Sequence, residues 1–343
     1  MMAPPDSGAM APPHPAIVAT ADYHTAGEPF RIVTGGVRVP AGRTVADRRV
    51  SAVAHLDHVR RLLVEEPRGH PGMYGCFVTP PDDEGAEFGA IFFHRSGFST
   101  ACGHGTIALA TWALQTGRVA PDRTAFSIDV PSGRVGVRVR GGGPHPAITF
   151  VNVPAWVAQR DVPVETPFGP ARADVAFGGA FHASLPASAL GLSVEVAQLP
   201  QLIEAGRLIQ RQLTAAGAAR HDTDDRLSGI YGVTFYDDLG VADGQLRQRN
   251  VTIFGDGQVD RSPCGSGTTA RLALLAGHGL ADGQTLVHDS IIGTRFEARV
   301  TSIFEDGGWV QVATEVTGSA FLTGLHQFML AAGDPLGSGF LLG

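Results

Sequence analysis

Apolar and polar positions along the chain fall into two regimes. Short runs rich in apolar and β-branched residues read as strands. In the first half they cover 17–22, 30–34, 74–79, 89–94, 126–130, 134–140 and 147–153. In the second half they cover 174–177, 230–236, 248–254, 285–291, 295–303 and 309–315. Pro131-Ser132-Gly133 separates two of them as a hairpin turn. Helical spacing is fainter. Leu56, Val59, Leu62 and Leu63 predict a helix over 56–65, which stops at Glu66-Pro67-Arg68. The longest helical pattern is 193–215, with Leu202, Leu208, Ile209 and Leu213 on one side. Two further runs, 107–114 and 270–276, are apolar on most faces and follow glycine-rich loops. A helix apolar all round must be enclosed. The expected class is α/β (α+β), with two similar halves that each wrap many strands around one such helix.

Composition narrows the partners. The 343 residues suffice for two domains, and 43% hydrophobic residues with 45 Gly and 23 Pro fit a loop-rich globular chain. A formal net charge of −7 leaves no basic footprint, so no nucleic acid is expected. No apolar run reaches the roughly 18–20 residues that span a bilayer, so no membrane is expected. Residues 1–16, rich in Pro and Ala, read as a disordered leader without the basic and apolar regions of a signal peptide. Three cysteines, an odd and low count, suggest reduced thiols and a cytoplasmic location. Cys76 lies in a strand-like apolar run and reads as an inert buried thiol.

The other two cysteines carry the candidate chemistry. Cys102-Gly103-His104-Gly105-Thr106 and Cys264-Gly265-Ser266-Gly267-Thr268 match as Cys-Gly-x-Gly-Thr, about half a chain apart. Each loop opens one of the apolar helices. Glycines let the backbone approach a ligand closely, and unpaired N–H groups with the helix dipole favour an anion such as a carboxylate. The same field should favour a thiolate, lowering the cysteine pKa from its ordinary value of about 8.5. Two such loops face to face would hold one small acid between two thiols. The backbone N–H groups at Gly103, His104, Gly265 and Ser266 then bind the carboxylate, with the His104 and Ser266 side chains left open between packing and action. No Cys/His grouping has metal-ligand spacing and no nucleotide-type glycine loop follows a strand, so neither metal nor cofactor is expected. Carbanion character must then be absorbed by preorganised N–H donors. Two bases on opposite faces of Cα permit a 1,1-proton transfer, one thiolate taking the proton and the other thiol delivering one.

These two loops resemble the paired motifs of the proline racemase family, over nearly the whole chain from about Asp22 onward. The resemblance implies two pseudo-symmetric domains, each a curved, largely antiparallel sheet around a central helix. The first would be 17–165, joined by a returning C-terminus at 326–343 that includes Gly333-Asp334-Pro335; the second would be 166–325. It also implies catalysis by Cys102 and Cys264, and Asp260 as the ligand of the substrate's ring nitrogen. A carboxylate facing a secondary ammonium is sound on its own chemistry. His24, Glu28 and Arg68 lie in shared motifs and read as a supporting ion pair. A homodimer is left open on family analogy.

Leu56-Asp57-His58, Glu66-Pro67-Arg68-Gly69-His70, Met73-Tyr74-Gly75 and Ala176-Phe177-Gly178-Gly179 are most similar to the trans-3-hydroxy-L-proline dehydratase branch. Typical dehydratases of the family carry Thr at the second cysteine; this chain has Cys264. The expected activity is therefore dehydration of trans-3-hydroxy-L-proline to Δ1-pyrroline-2-carboxylate, with C2 epimerisation of the same imino acid. A proline racemase or 4-hydroxyproline 2-epimerase is the alternative. A non-catalytic imino-acid-binding protein or a thiol redox protein with a Cys102–Cys264 disulfide are readings from other classes.

Overall fold

A computed structural model describes residues 16–143, 145–276, 278, 280 and 283–342. The expected leader, 1–16, lies outside them except for Ala16. The first half runs β1 (Ala16–Thr25), β2 (Glu28–Gly35), α1 (Val45–His55), α2 (Asp57–Val64), β3 (Tyr74–Thr79), β4 (Phe88–His94), α3 (Gly103–Gln115), β5 (Ala125–Val130), β6 (Gly133–Arg140) and β7 (Ala147–Val151). The second runs β8 (Ala155–Thr166), β9 (Gly169–Phe177), β10 (Phe181–Pro186), α4 (Leu199–Ala215), β11 (Ile230–Ala242), β12 (Gln245–Phe254), β13 (Gln258–Asp260), α5 (Gly265–Leu275), β14 (Thr285–Ser290), β15 (Arg295–Asp306), β16 (Trp309–Gly318) and β17 (Ala320–Leu330). The protein is mixed α/β and mostly strand.

The order of strand pairings repeats. In the first half β1–β2 is antiparallel, β2–β3 parallel, β3–β4 antiparallel, β4–β5 parallel, and β5–β6 and β6–β7 antiparallel. In the second half β9–β10, β10–β11, β11–β12, β12–β14, β14–β15 and β15–β16 follow the same sequence of senses. The equivalents of the β4-to-β5 and β12-to-β14 crossovers contain α3 and α5. Parallel neighbours need such a crossover. The halves are joined where β16 pairs with β7, and where β17 pairs with β1 over ten residue partners.

Helices α3 and α5 are enclosed as their composition demands. Every residue of α3 from Gly103 to Leu114 is buried, as is all of α5. Ile107, Leu109 and Trp112 share a core with Phe30, Phe92, Ile128 and Phe150, and Leu272 and Leu275 of α5 reach the same core. Even Arg271 is buried there, its guanidinium 3.7 Å above the Tyr236 ring and its Nε donating to Gln248 at 3.0 Å.

Several elements differ from the sequence pattern. Helix α1 escaped because only Val45, Arg48 and Ala52 of it are buried, so it has almost no apolar stripe. Its signal is a capping box, Thr44 Oγ1 accepting the Asp47 N–H and Asp47 Oδ2 accepting the Thr44 N–H. Helix α4 begins at Leu199 rather than 193, with Pro200 in its first turn and a 3-10 turn at Val196–Gln198 before it. The returning end of the chain pairs with β1 as β17, from Ala320, earlier in the chain than the expected 326–343.

Candidate active site

The starts of α3 and α5 meet end to end. A Cβ built on Gly103 would lie 2.5 Å from Gly265 Cα, and one built on Gly265 would lie 2.5 Å from Gly103 Cα. Only glycine permits this approach of two backbones. The Phe150 ring covers both positions. Two helix N-termini, each positive, thus converge on one spot, which favours a single anion.

Cys102 and Cys264 cap these helices. Cys102 Sγ accepts the Gly105 N–H at 3.2 Å, and Cys264 Sγ accepts the Gly267 N–H at 3.4 Å. The two backbones are not alike. Cys102 is extended at φ −155°, whereas Cys264 sits at φ 63°, a region that costs a non-glycine residue about 1–3 kcal/mol. The loop before it is tightly held: Asp260 Oδ1 accepts from the Ser262 N–H and hydroxyl, and Ser262 Oγ accepts the Cys264 N–H at 3.1 Å. Asn250 Nδ2 donates to the Pro263 carbonyl at 2.6 Å. Asp260 is therefore a turn cap as well as a candidate ligand.

The structure brings Cys102, Gly103, His104, Asp260, Cys264, Gly265 and Ser266 to one buried place. His104 contributes its ring as well as its backbone. Both ring nitrogens lie 3.5 Å from Cys102 Sγ, and the ring stands edge-on to Tyr74 at 5.0 Å and Phe30 at 5.6 Å. Burial pushes His104 down to about 3, so the imidazole is neutral at pH 7. Ser266 Oγ lies 3.8 Å from Cys264 Sγ.

Two expectations are corrected. The thiol pKa values are not lowered. Burial pushes both Cys102 and Cys264 up, with Asp260 adding to the shift, and the single N–H donated to each sulfur does not offset this. Nor do His24, Glu28 and Arg68 form an ion pair together. Arg68 pairs with Asp334 at 2.5 Å, and the His24 ring stacks on Phe321. Fully buried Glu28 accepts the Arg261 N–H at 2.8 Å, with Arg261 Nη1 at 3.5 Å, which ties the start of β2 to the residue after Asp260.

Sequence reasoning missed the aromatic wall between the loops. Tyr74 Oη bonds Ser99 Oγ and lies 3.2 Å from Tyr231 Oη, joining one half to the other. Tyr231 stacks on Phe254 at 5.6 Å, and His94 packs against both tyrosines. Nothing in local spacing marks these residues, because they meet only through the fold. Cys76 is buried on β3 and pushed up by burial. All three cysteines are free, so no Cys102–Cys264 disulfide is present. Among the described residues no group of three His, Cys, Asp or Glu side chains is placed to hold a metal, and no helix is long and apolar enough to cross a membrane.

Burial pushes Asp260 up to about 6, so the folded protein keeps a proton that the unfolded chain releases near pH 4. Stability is then lost as pH rises from about 4 through about 6, by on the order of 3 kcal/mol in total. Asp260→Asn is expected to melt higher than wild type at about pH 7.5 and close to it at about pH 4.5. A difference in melting temperature that does not change with pH would contradict this.

A family model described as proline racemase matches residues 20–341. A trans-3-hydroxy-L-proline dehydratase of Bacillus cereus is 44% identical over 95% of this chain and 98% of its own length. A 3-hydroxyproline 2-epimerase of Burkholderia multivorans is 40% identical, with the same shares covered. The crystal structure of a hydroxyproline epimerase from Agrobacterium vitis with bound trans-4-hydroxy-L-proline superposes with a TM-score of 0.89 at 30% identity, covering 95% of each chain.

Proposed function

Since the chain belongs to the proline racemase family, and is thereby an enzyme of hydro-lyase or epimerase type or both, we propose that it dehydrates trans-3-hydroxy-L-proline and also epimerises it at C2. The observation that carries this reading is the meeting of two cysteine-capped helix starts at Gly103 and Gly265. The substrate carboxylate lies against both helix N-termini, and the ring nitrogen faces Asp260. The two thiols address opposite faces of Cα.

The thiols of the empty site are protonated at neutral pH. A bound imino acid changes the balance, because its ammonium pairs with Asp260 and cancels that part of the upward shift, and Cys102 releases its proton to solvent to become the thiolate base. Cys102 then removes the α-proton of the L-substrate, with the neutral His104 ring in contact with its sulfur. Charge grows on the carboxylate, where the N–H groups of both helix starts already point. In the trans isomer the 3-hydroxyl shares the face of the α-proton. The same thiol can therefore return the proton to that oxygen as the C3–O bond breaks, releasing water. The resulting enamine tautomerises to Δ1-pyrroline-2-carboxylate. Alternatively, Cys264 protonates Cα from the opposite face and gives the C2 epimer. The repeat of strand pairings supports two similar domains, with β8 grouped with the second half through β9 and β16, and β17 returning to the first through β1.

Incubation with trans-3-hydroxy-L-proline, trans-4-hydroxy-L-proline and L-proline in D2O, followed by proton NMR, tests the assignment. The expected result is loss of the 3-hydroxy substrate to a cyclic imine, together with its C2 epimer. Deuterium entering C2 of proline or 4-hydroxyproline without any elimination would instead establish a racemase or 4-hydroxyproline epimerase. That second reading is favoured by the fit to the Agrobacterium vitis epimerase. Cys102→Ser is expected to lower dehydration and epimerisation of the L-substrate together, by about 10²–10⁴-fold in kcat. Retention of either reaction would remove Cys102 from its place.

A further inference from the structure

Each thiol has an imidazole nearby, but the halves supply it differently. In the first half His104 follows Cys102 by two residues and touches its sulfur directly. In the second, Ser266 holds the matching position, 3.8 Å from Cys264 Sγ. Its hydroxyl meets an imidazole from another element: His182 on β10, with Nε2 2.9 Å from Ser266 Oγ. His182 is 1% exposed, its ring packs edge-on to Tyr231 at 5.4 Å, and its Nδ1 is buried with no hydrogen-bond partner.

That unpartnered nitrogen decides the tautomer. A buried N–H without an acceptor is rarer and costlier than a bare lone pair. The proton therefore belongs on Nε2, which donates to Ser266 Oγ. With its oxygen already accepting, Ser266 is free to aim its own hydrogen at Cys264 Sγ. Burial holds the His182 pKa at about 3, so the ring stays neutral and acts by orientation, not by charge.

We propose that His182 is a positioning residue for Cys264, acting through the Ser266 hydroxyl to stabilise the Cys264 thiolate. The proposal rests on the reading of Cys264 as the thiol that protonates C2. In that step the carbanion's electron pair takes the thiol proton, a C–H bond forms, the S–H bond breaks, and negative charge remains on sulfur. The chain His182 Nε2–H to Ser266 Oγ, then Ser266 O–H to sulfur, meets that charge with no further proton transfer. The reverse reaction begins from the same thiolate and gains from the same chain. His104 gives Cys102 an imidazole in direct contact, so loss of His182 should fall on one thiol only.

The test uses the full chain carrying His182→Phe, His182→Gln or Ser266→Ala, with dehydration and epimerisation of trans-3-hydroxy-L-proline followed separately. Iodoacetamide alkylation of Cys264 and Cys102, read by peptide mass spectrometry, serves as a substrate-free measure. A hydrogen bond to a charged group sets the scale at about tenfold or more. His182→Phe is expected to lower the epimerisation kcat by that factor, well beyond any change in dehydration, with KM near the wild-type value. It should slow alkylation of Cys264 similarly and that of Cys102 little. Ser266→Ala should reproduce the pattern, and His182→Gln, whose amide can still donate, should recover most of the rate. An unchanged Cys264 alkylation rate in both His182→Phe and Ser266→Ala, or an equal fall of both thiols, overturns the proposal. If the wild-type protein neither dehydrates nor epimerises, the functional reading fails, and the alkylation rates alone decide the role of His182.

Discussion

Replacing Cys264 by serine is expected to abolish C2 epimerisation of trans-3-hydroxy-L-proline, by about 10²–10⁴-fold, while dehydration persists near the wild-type rate. In the proposed mechanism elimination uses one face of the ring, the face assigned to Cys102, so a second thiol adds nothing to it. Epimerisation there needs a proton from the other face, which Cys264, the N-cap of the facing helix, would deliver. Serine is the better probe than threonine. Position 264 has φ 63°, where a β-branched side chain adds strain that serine avoids, so serine isolates the chemistry. Proton NMR in D2O separates the imine from the C2 epimer in one experiment. Equal loss of both products would sink the division of labour between the thiols.

Gly265→Ala is expected to do the opposite, removing both reactions together. Its Cβ would sit 2.5 Å from Gly103 Cα and 3.0 Å from the Phe150 ring. The opposing atom is backbone, not the end of a flexible side chain, so the helix starts must separate. Overpacking of this kind costs about 1–3 kcal/mol. A displacement near 1 Å between the anion site and the thiols can cost about 10²-fold in rate. The variant should therefore fold with a lowered melting temperature, yet lose at least that factor in kcat/KM for dehydration and epimerisation alike. Gly142→Ala, where an added Cβ meets no atom within 4 Å, is the control and should match wild type. Full activity in Gly265→Ala would show that the close approach of the two helices is not what holds the substrate.

The parts of this molecule that were legible in the sequence are those set by local chemistry. Glycine beside cysteine at the entrance to an apolar run is enough to place Cys102 and Cys264 at buried helix starts, because a helix apolar all round can only be enclosed and its first N–H groups must face something. The hairpin at Pro131-Ser132-Gly133 and the strand runs on either side follow from turn residues and alternation in the same way. Helix α1, like strands β8, β10, β13 and β17, is missing from the sequence pattern, yet its capping box at Thr44 and Asp47 is legible where its hydrophobic stripe is not.

What tertiary structure alone decided concerns groups brought together from distant positions. Burial, not sequence context, sets the protonation of the two thiols, of Asp260 and of the three imidazoles at His94, His104 and His182. Arg68 finds Asp334, and Glu28 finds Arg261, partners that no spacing rule connects. The Tyr74–Tyr231 contact and the His182–Ser266 bond each join side chains from separate strands and loops. Local chemistry alone places two thiols at the starts of two buried helices. Their convergence at Gly103 and Gly265, the burial that raises their pKa values, and the different route by which each receives an imidazole depend on how the strands of the two halves close around α3 and α5, because desolvation and long-range contact exist only once the chain is folded.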